Sequence, residues 1–168
     1  MTRWLALLVL ICTVAAPAAA DELRGRVVGV SDGDTITVLV DSHQQHRIRL
    51  AEIDAPELRQ PYGQKAKQAL STLVFAKDIR VITSGKDRYG RLIGRAYAPG
   101  MPHELDVSAQ MVQDGAAWVF TRYATDPSLY DLQTEARIAS RGLWALPLAD
   151  QVPPWDWRRS RTTAQQQP

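Results

Sequence analysis

The sequence has a single cysteine, Cys12, among 168 residues, and it lies in a short apolar stretch near the N-terminus. Without that stretch the chain has no disulfide, no cysteine-based zinc site and no cysteine nucleophile. Stability then rests on packing, aided by any bound metal ion. Long apolar runs are also absent: Trp4 to Val14 is almost wholly apolar but short of the roughly 20 residues that span a bilayer. Arg3 precedes this run, and Ala15-Ala16-Pro17-Ala18-Ala19-Ala20 places small residues before Asp21. Residues 1–20 are therefore expected to be a secretory signal peptide cut after Ala20, which sends the protein to the periplasm or the medium. Bulky Ile11 before Cys12 argues against a lipoprotein cysteine. A charge excess is lacking too: 20 basic and 18 acidic residues give a net charge of +2, and +1 once Arg3 is removed. A polyanionic partner would need a local basic patch. Histidines number three. His43 and His46 have H-x-x-H spacing but sit at a hairpin tip without a third ligand, so a zinc site is not assigned to them. His103 lies in a loop and has no role.

What remains is an ordinary globular composition, 45% hydrophobic and 23% charged, of a size for one domain with short tails. β-branched and alternating segments predict strands at 23–30, 35–40 and 46–53, joined by the turn Ser31-Asp32-Gly33-Asp34 and a polar hairpin at 41–45. Pro56 and Pro61 fix a loop. Ala66, Ala69, Leu70, Leu73 and Val74 recur at helical spacing and predict a helix over 62–76 with those residues buried. Strands are expected at 78–83 and 91–98. A short helix over 105–113 is stopped by Gly115 in the left-handed conformation. The aromatic segment 116–123 holds a short edge strand. Asp126-Pro127 opens a last helix, with Leu129, Leu132, Ala136 and Ala139 facing the core and Gly142 ending it. Pro147 to Arg159 is expected to be a proline-rich arm on the domain, and the remainder a disordered tail. The fold class is mainly β with α: a five-stranded Greek-key barrel of the OB type with about three helices, occupying residues 21–146. Such barrels bind oligonucleotides or oligosaccharides, and fold alone does not choose between them.

Chemistry concentrates in three stretches. Asp32 and Asp34 flank Gly33 at the mouth of a hairpin. Taken alone this is more readily a turn than a metal site, and Glu57 close to Asp54 shifts the balance. Asp54 follows the third strand, and if strands two and three pair, Asp34 and Asp54 meet. Oxygen ligands without cysteine suit calcium or magnesium rather than zinc. Glu57 lies three residues past Asp54 in a proline-stiffened loop and can accept a proton from water, or can be a solvated loop acid. Arg49 projects opposite Ile48 and Leu50, and Arg91 opens the fifth strand. A guanidinium fork suits a phosphoryl group because it donates two parallel hydrogen bonds, although either arginine alone is more often a surface cation. Arg47 receives no role.

Taken together, Asp32-Gly33-Asp34-Thr35, then Arg49 with Asp54-Ala55-Pro56-Glu57, then Asp87-Arg88-Tyr89-Gly90-Arg91, resemble the staphylococcal nuclease (thermonuclease) family in order and spacing. The resemblance runs from about Arg24 to Trp144 and includes Tyr62-Gly63 and Gly115. It implies an OB-fold barrel and a calcium-dependent phosphodiesterase. By the resemblance, Asp34 and Asp54 are the carboxylate calcium ligands, Ala55 supplies a backbone carbonyl, and Asp32 acts through water. Glu57 is the general base or the residue that orients the attacking water. Arg49 and Arg91 grip the phosphate, while Arg88, Tyr89 and Tyr123 line the nucleotide groove. The family also implies cleavage of the P–O5′ bond, leaving 3′-phosphate ends.

The chain departs from the pattern at Ala55, where the family often has threonine, and at Thr121, where a first tyrosine is expected before Tyr123. A carbonyl ligand survives the first change. The second alters nucleotide placement. The expected protein is a secreted or periplasmic nuclease of low sequence specificity. Its substrates are DNA and RNA, single-stranded or as breathing duplex, and it is a monomer without membrane association after signal cleavage. The alternative is a non-catalytic oligonucleotide-binding module. Trp155 and Trp157 beside Arg158, Arg159 and Arg161 could stack on bases and attract phosphates, or simply pack on the barrel.

Overall fold

The structure, a computed structural model, describes residues 21–165. The expected signal peptide lies outside the described residues. Among them, no helix is long and apolar enough to cross a membrane.

Three antiparallel strands begin the domain: β1 (Glu22–Val30), β2 (Thr35–Val40) and β3 (Gln44–Leu50). Alternation sets their register. Val27, Ile36, Val38, Ile48 and Leu50 are buried, so the intervening residues face outward. Strand β5 (Asp78–Lys86) pairs antiparallel with β1, and β6 (Leu92–Ala98) pairs with β5. Strand β6 then runs parallel to β3 and closes the five strands in the order β3-β2-β1-β5-β6. Closure removes the sheet edges and yields the OB-type barrel the sequence implies.

Two strand predictions change. The third strand does not continue to residue 53. It stops at Leu50, the chain turns at Ala51-Glu52 with Glu52 at φ 67°, and β4 (Ile53–Asp54) starts in a new direction. There it pairs with β8 (Trp118–Val119), the short strand expected in the aromatic segment. The fourth strand, in turn, runs to Lys86 across a bulge near Gly85 rather than ending at residue 83.

Helix α1 (Gly63–Val74) buries Ala66, Leu70 and Val74 against the barrel, with Ala69 and Leu73 half-buried beside them. Burying a side chain such as Leu70 contributes about 2 kcal/mol. Residues Leu105–Asp106 form strand β7 on the edge of β6 instead of the first turn of a helix. Helix α2 (Val107–Gln113) follows, capped by the Asp106 carboxylate, which accepts from the Ala109 amide at 3.0 Å. Gly115 ends that segment at φ 65° as the sequence predicts, and a side chain there would meet the Arg141 carbonyl at 2.2 Å.

Helix α3 (Ser128–Ile138) begins under Asp126, whose carboxylate accepts from the Ser128 amide at 2.9 Å. Leu129 and Ala136 are buried, but Ala139 is exposed, because the helix ends at Ile138 and Ser140, at φ 50°, turns the chain before Gly142. The largest correction lies at the C-terminus. A fourth helix, α4 (Pro154–Gln165), occupies most of the segment expected to be an arm and disordered tail. Trp155 of α4 stacks on Phe120, with centroids 5.5 Å apart and planes 8° from parallel, and meets Trp118 edge-on at 5.9 Å.

Candidate active site

The turn between β1 and β2 and the loop after β4 meet at one end of the barrel. Gly33 makes that approach possible: a Cβ at this position would lie 2.6 Å from the Ala55 Cβ and 2.9 Å from the Ala66 Cβ. The Asp32 carboxylate accepts from the Asp34 amide at 3.1 Å. Asp34 accepts from the Ala55 amide at 3.0 Å and from the Thr35 hydroxyl at 3.0 Å. These bonds lock the D-G-D turn to the Asp54-Ala55 loop, so the turn serves the site as well as the hairpin.

Arg49 lies between the two acids. Its Nη1 is 3.0 Å from Asp34 Oδ2 and donates to the Ile53 carbonyl at 3.2 Å. Its Nη2 donates to Asp54 Oδ1 at 2.8 Å. The sequence reading placed Arg49 opposite Ile48 and Leu50, as a phosphate clamp or a surface cation. Instead its side chain is 14% exposed and engaged by carboxylates. Asp54 is fully buried, and burial pushes its carboxyl above the usual range, opposed by a hydrogen bond from Arg158. Asp32 is pushed up to about 6, first by burial and then by the charge of Asp34.

Glu57 lies at the rim, with 41% of its side chain exposed. Its amide donates to Gln60 Oε1 at 3.2 Å, and its carbonyl accepts from the Gln60 amide at 2.8 Å. Gly63 packs against this loop so closely that a Cβ would sit 1.8 Å from the Glu57 carbonyl oxygen.

Arg91 reaches the same acids through one hydroxyl: it donates to Thr35 Oγ1 at 3.1 Å, and Thr35 in turn donates to Asp34. Asp87 holds Arg91 at 2.7 Å and also accepts from the Tyr89 and Arg91 amides. Burial opposes ionisation of Asp87, but these bonds, led by that from Arg91, outweigh it and lower its pKa. Tyr89 is exposed, with the Arg88 and Arg91 guanidiniums 4.8 and 5.6 Å from its ring. A groove of about 230 Å³ opens here, lined by Arg47, Lys86, Tyr89 and Arg91 among others. It supplies the local basic patch that net charge did not advertise, and it gives Arg47 a place. Tyr123 lies on the other flank. It is exposed and packs edge-on to Phe120 at 4.9 Å, while Phe120 sits 6.0 Å from the Arg49 guanidinium.

The turn before β4 has its own support. Glu52 accepts from the Thr125 amide and hydroxyl and from the Asp126 amide at 2.6–3.0 Å. Arg95 joins Glu52 at 3.1 Å, Asp126 at 2.5 Å, and Asp106. This network was not expected from sequence, since its members are spread from residue 52 to residue 126. It holds the chain in the bend that aims Asp54 inward.

Sequence reasoning also missed Arg158 as a site residue. From α4 it donates to Asp54 Oδ2 at 2.6 Å and to Glu57 Oε1 at 2.7 Å. The only signal was its place beside Trp155 and Trp157.

Among the described residues, no group of three or more histidine, cysteine or acidic side chains is arranged to hold a metal ion. A cation here would rest on the Asp34 and Asp54 carboxylates, a backbone carbonyl and water. The donor set fits a hard cation, which accepts six to eight oxygen ligands including carbonyls and water. Asp34, Asp54 and Glu57 pair with the guanidiniums of Arg49 and Arg158, three carboxylates against two cations.

A closed five-stranded barrel with acids and arginines gathered at one end defines a small hydrolase of the nuclease type. The chain belongs to the staphylococcal nuclease family: residues 47–146 match the family model described as "Staphylococcal nuclease homologue". An Escherichia coli protein named "Uncharacterized endonuclease" is 48% identical over 145 residues, covering 86% of this chain and 91% of its own. A Shigella flexneri "Micrococcal nuclease" is 45% identical over 158 residues, covering 90% and 88%. A rice "Probable staphylococcal-like nuclease" is 34% identical over 149 residues, but the match spans 37% of that longer protein.

Proposed function

We propose that this protein is a secreted or periplasmic calcium-dependent nuclease that hydrolyses DNA and RNA with little sequence preference. The observation that carries the reading is the shared grip of Arg49 on Asp34 and Asp54, three residues before Glu57. That arrangement brings ligand oxygens, a phosphate clamp and a base to one end of the barrel. Asp34, Asp54 and the Ala55 carbonyl would hold calcium, with Asp32 acting through water. Bound there, the ion would supply neutralisation of the phosphate's negative charge.

The chain's own residues do the rest. The carboxylate of Glu57 takes a proton from the attacking water or orients it. Arg49 turns its donors from the carboxylates to the phosphoryl oxygens, and Arg91 donates from the Thr35 side. Donors aimed at developing charge each contribute on the order of 10²–10³ in rate. The water oxygen bonds to phosphorus, the P–O5′ bond breaks, and O5′ leaves with a proton from solvent. The 3′ side keeps the phosphate. Arg88, Tyr89 and Tyr123 flank the site and suit the sugar-phosphate chain and an unstacked base better than a duplex groove. Contacts to phosphate and to base faces carry little sequence information. A monomer suffices for this chemistry.

Incubating the purified protein with denatured DNA in calcium or in chelator, then assaying the fragment ends, tests the reading. Fragments with 3′-phosphate ends in calcium and intact substrate in chelator are expected. Tight binding without cleavage would overturn it in favour of a binding module.

A further inference from the structure

The C-terminal helix is attached to the barrel in a way that serves one side chain. Its approach is fixed before it begins: Gln60 is buried and donates to the Val152 carbonyl at 2.5 Å, and Gln151 donates to the Trp144 and Leu146 carbonyls at 3.2 and 2.8 Å. Pro153 and Pro154 then stiffen the entry. Trp155 fills the slot between Phe120 and Trp118, the same Phe120 that lies beside Arg49. One helical turn later, Arg158 lies over the acids. It donates to both oxygens of Asp54, at 2.6 and 3.3 Å, and to Glu57 at 2.7 Å. Gln60, which carries the Val152 bond, also accepts from the Glu57 amide, so the same residue ties the base's loop to the arm.

We propose that Arg158 is a positioning residue of the active site, delivered by α4, that fixes the Glu57 carboxylate relative to Asp54; this rests on the nuclease reading above. Glu57 is at the rim of a loop and half-exposed, so without a partner its carboxylate samples several rotamers. A guanidinium bound to Glu57 Oε1 and to Asp54 removes that freedom and leaves Oε2 for the water. Groups that orient reacting or ligating side chains commonly matter by about 10–100-fold. The same contact has an electrostatic cost. Arg158 is a positive charge on a carboxylate assigned to the cation, so it opposes calcium binding while it aids turnover. A purely structural role for α4 would not give effects of opposite sign.

Calcium titration calorimetry and steady-state cleavage of denatured DNA, on the full mature chain and its variants, test the proposal. Arg158→Ala is expected to bind calcium about fivefold more tightly, the size of effect of a half-exposed ion pair. Its kcat is expected to fall on the order of 10–100-fold, with KM moving less. Arg158→Lys keeps the charge without the fork, so wild-type calcium affinity with a reduced kcat is expected, and this variant carries the test should Arg158→Ala fail to fold. Unchanged kcat, or calcium binding weaker than wild type in Arg158→Ala, would overturn the role of Arg158 alone. No calcium binding by wild type or variant would overturn the calcium reading and this proposal together. Binding by Arg158→Ala but not by wild type would make Arg158 a block on the cation site and overturn its positioning role.

Discussion

Arg49 and Asp54 are five residues apart in sequence, and the Arg49 guanidinium donates to the buried Asp54 carboxylate at 2.8 Å. The bend at Glu52 makes the contact possible. A strand running straight through to Ile53 would carry Asp54 away from Arg49. The arginine proposed as phosphate clamp is therefore held by the two carboxylates proposed as metal ligands.

Arg49→Ala and Arg91→Ala are expected to separate in stability while agreeing in activity. Each loses about 10²–10³ in kcat. When the Arg91 guanidinium is removed, Asp87 keeps the Tyr89 and Arg91 amides as donors, so the melting temperature falls less than for Arg49→Ala. Removing Arg49 deprives Asp34 and Asp54 of a shared partner and destabilises the protein in chelator by roughly 3 kcal/mol. Added calcium restores part of that. Thermal unfolding with and without calcium, beside the cleavage rates, checks both halves.

Asp32 sets a pH dependence. Its folded pKa, about 6, lies above the ordinary aspartate value, so the folded state holds more protons than the unfolded state between about pH 4 and 6. Stability contributed by this group is present below about pH 4 and is lost as pH rises through about 6. In chelator, Asp32→Asn should therefore stabilise the protein at pH 7 by about 2 kcal/mol and flatten the fall between pH 4 and 6. Urea unfolding across that range measures it.

Gly33→Ala is expected to be damaging for a steric reason. The new methyl meets the methyls of Ala55 and Ala66 at 2.6 and 2.9 Å, and neither neighbour can rotate away. Overpacking of this kind costs about 1–3 kcal/mol. Because the shift falls on the turn carrying Asp32 and Asp34, calcium affinity should drop as well. Gly29→Ala is the control, since its Cβ would meet Thr37 at an ordinary 3.5 Å.

Arg95→Ala is expected to lower stability by roughly 2 kcal/mol, because Glu52, Asp106 and Asp126 lose their common cation while remaining partly buried. Activity should fall with it, since the bend at Glu52 aims Asp54. Denaturant midpoints and calcium affinity of the variant check the coupling.

The sequence was most legible where the signal was local. Strand β2 has the predicted bounds because its part-alternating, part-apolar run is closed off by the Asp32-Gly33-Asp34 turn and a polar hairpin, and Asp34 meets the Asp54 loop because β2 and β3 pair as a hairpin. Gly115 is left-handed as expected of a helix stop. The bend at Glu52 was not legible, because Leu50-Ala51-Glu52-Ile53 has no glycine or proline to mark it. The bend is held instead by Thr125, Asp126 and Arg95, which are remote in sequence. Arg158 was hidden for the same reason: its bond to Asp54 spans 104 positions, and its helix follows a proline-rich entry that reads locally as an arm. Ala139 was misplaced by extending a helical period past the residue at which the chain turns.

The most direct test of the account is the rate of denatured-DNA cleavage in calcium by wild type and Glu57→Gln side by side. The variant keeps the size of Glu57 and one acceptor oxygen for Arg158 while removing its charge and its capacity to take a proton. The account predicts calcium-dependent cleavage by wild type and a loss of about 10²–10⁴-fold in the folded variant. Equal rates in the two proteins would contradict it.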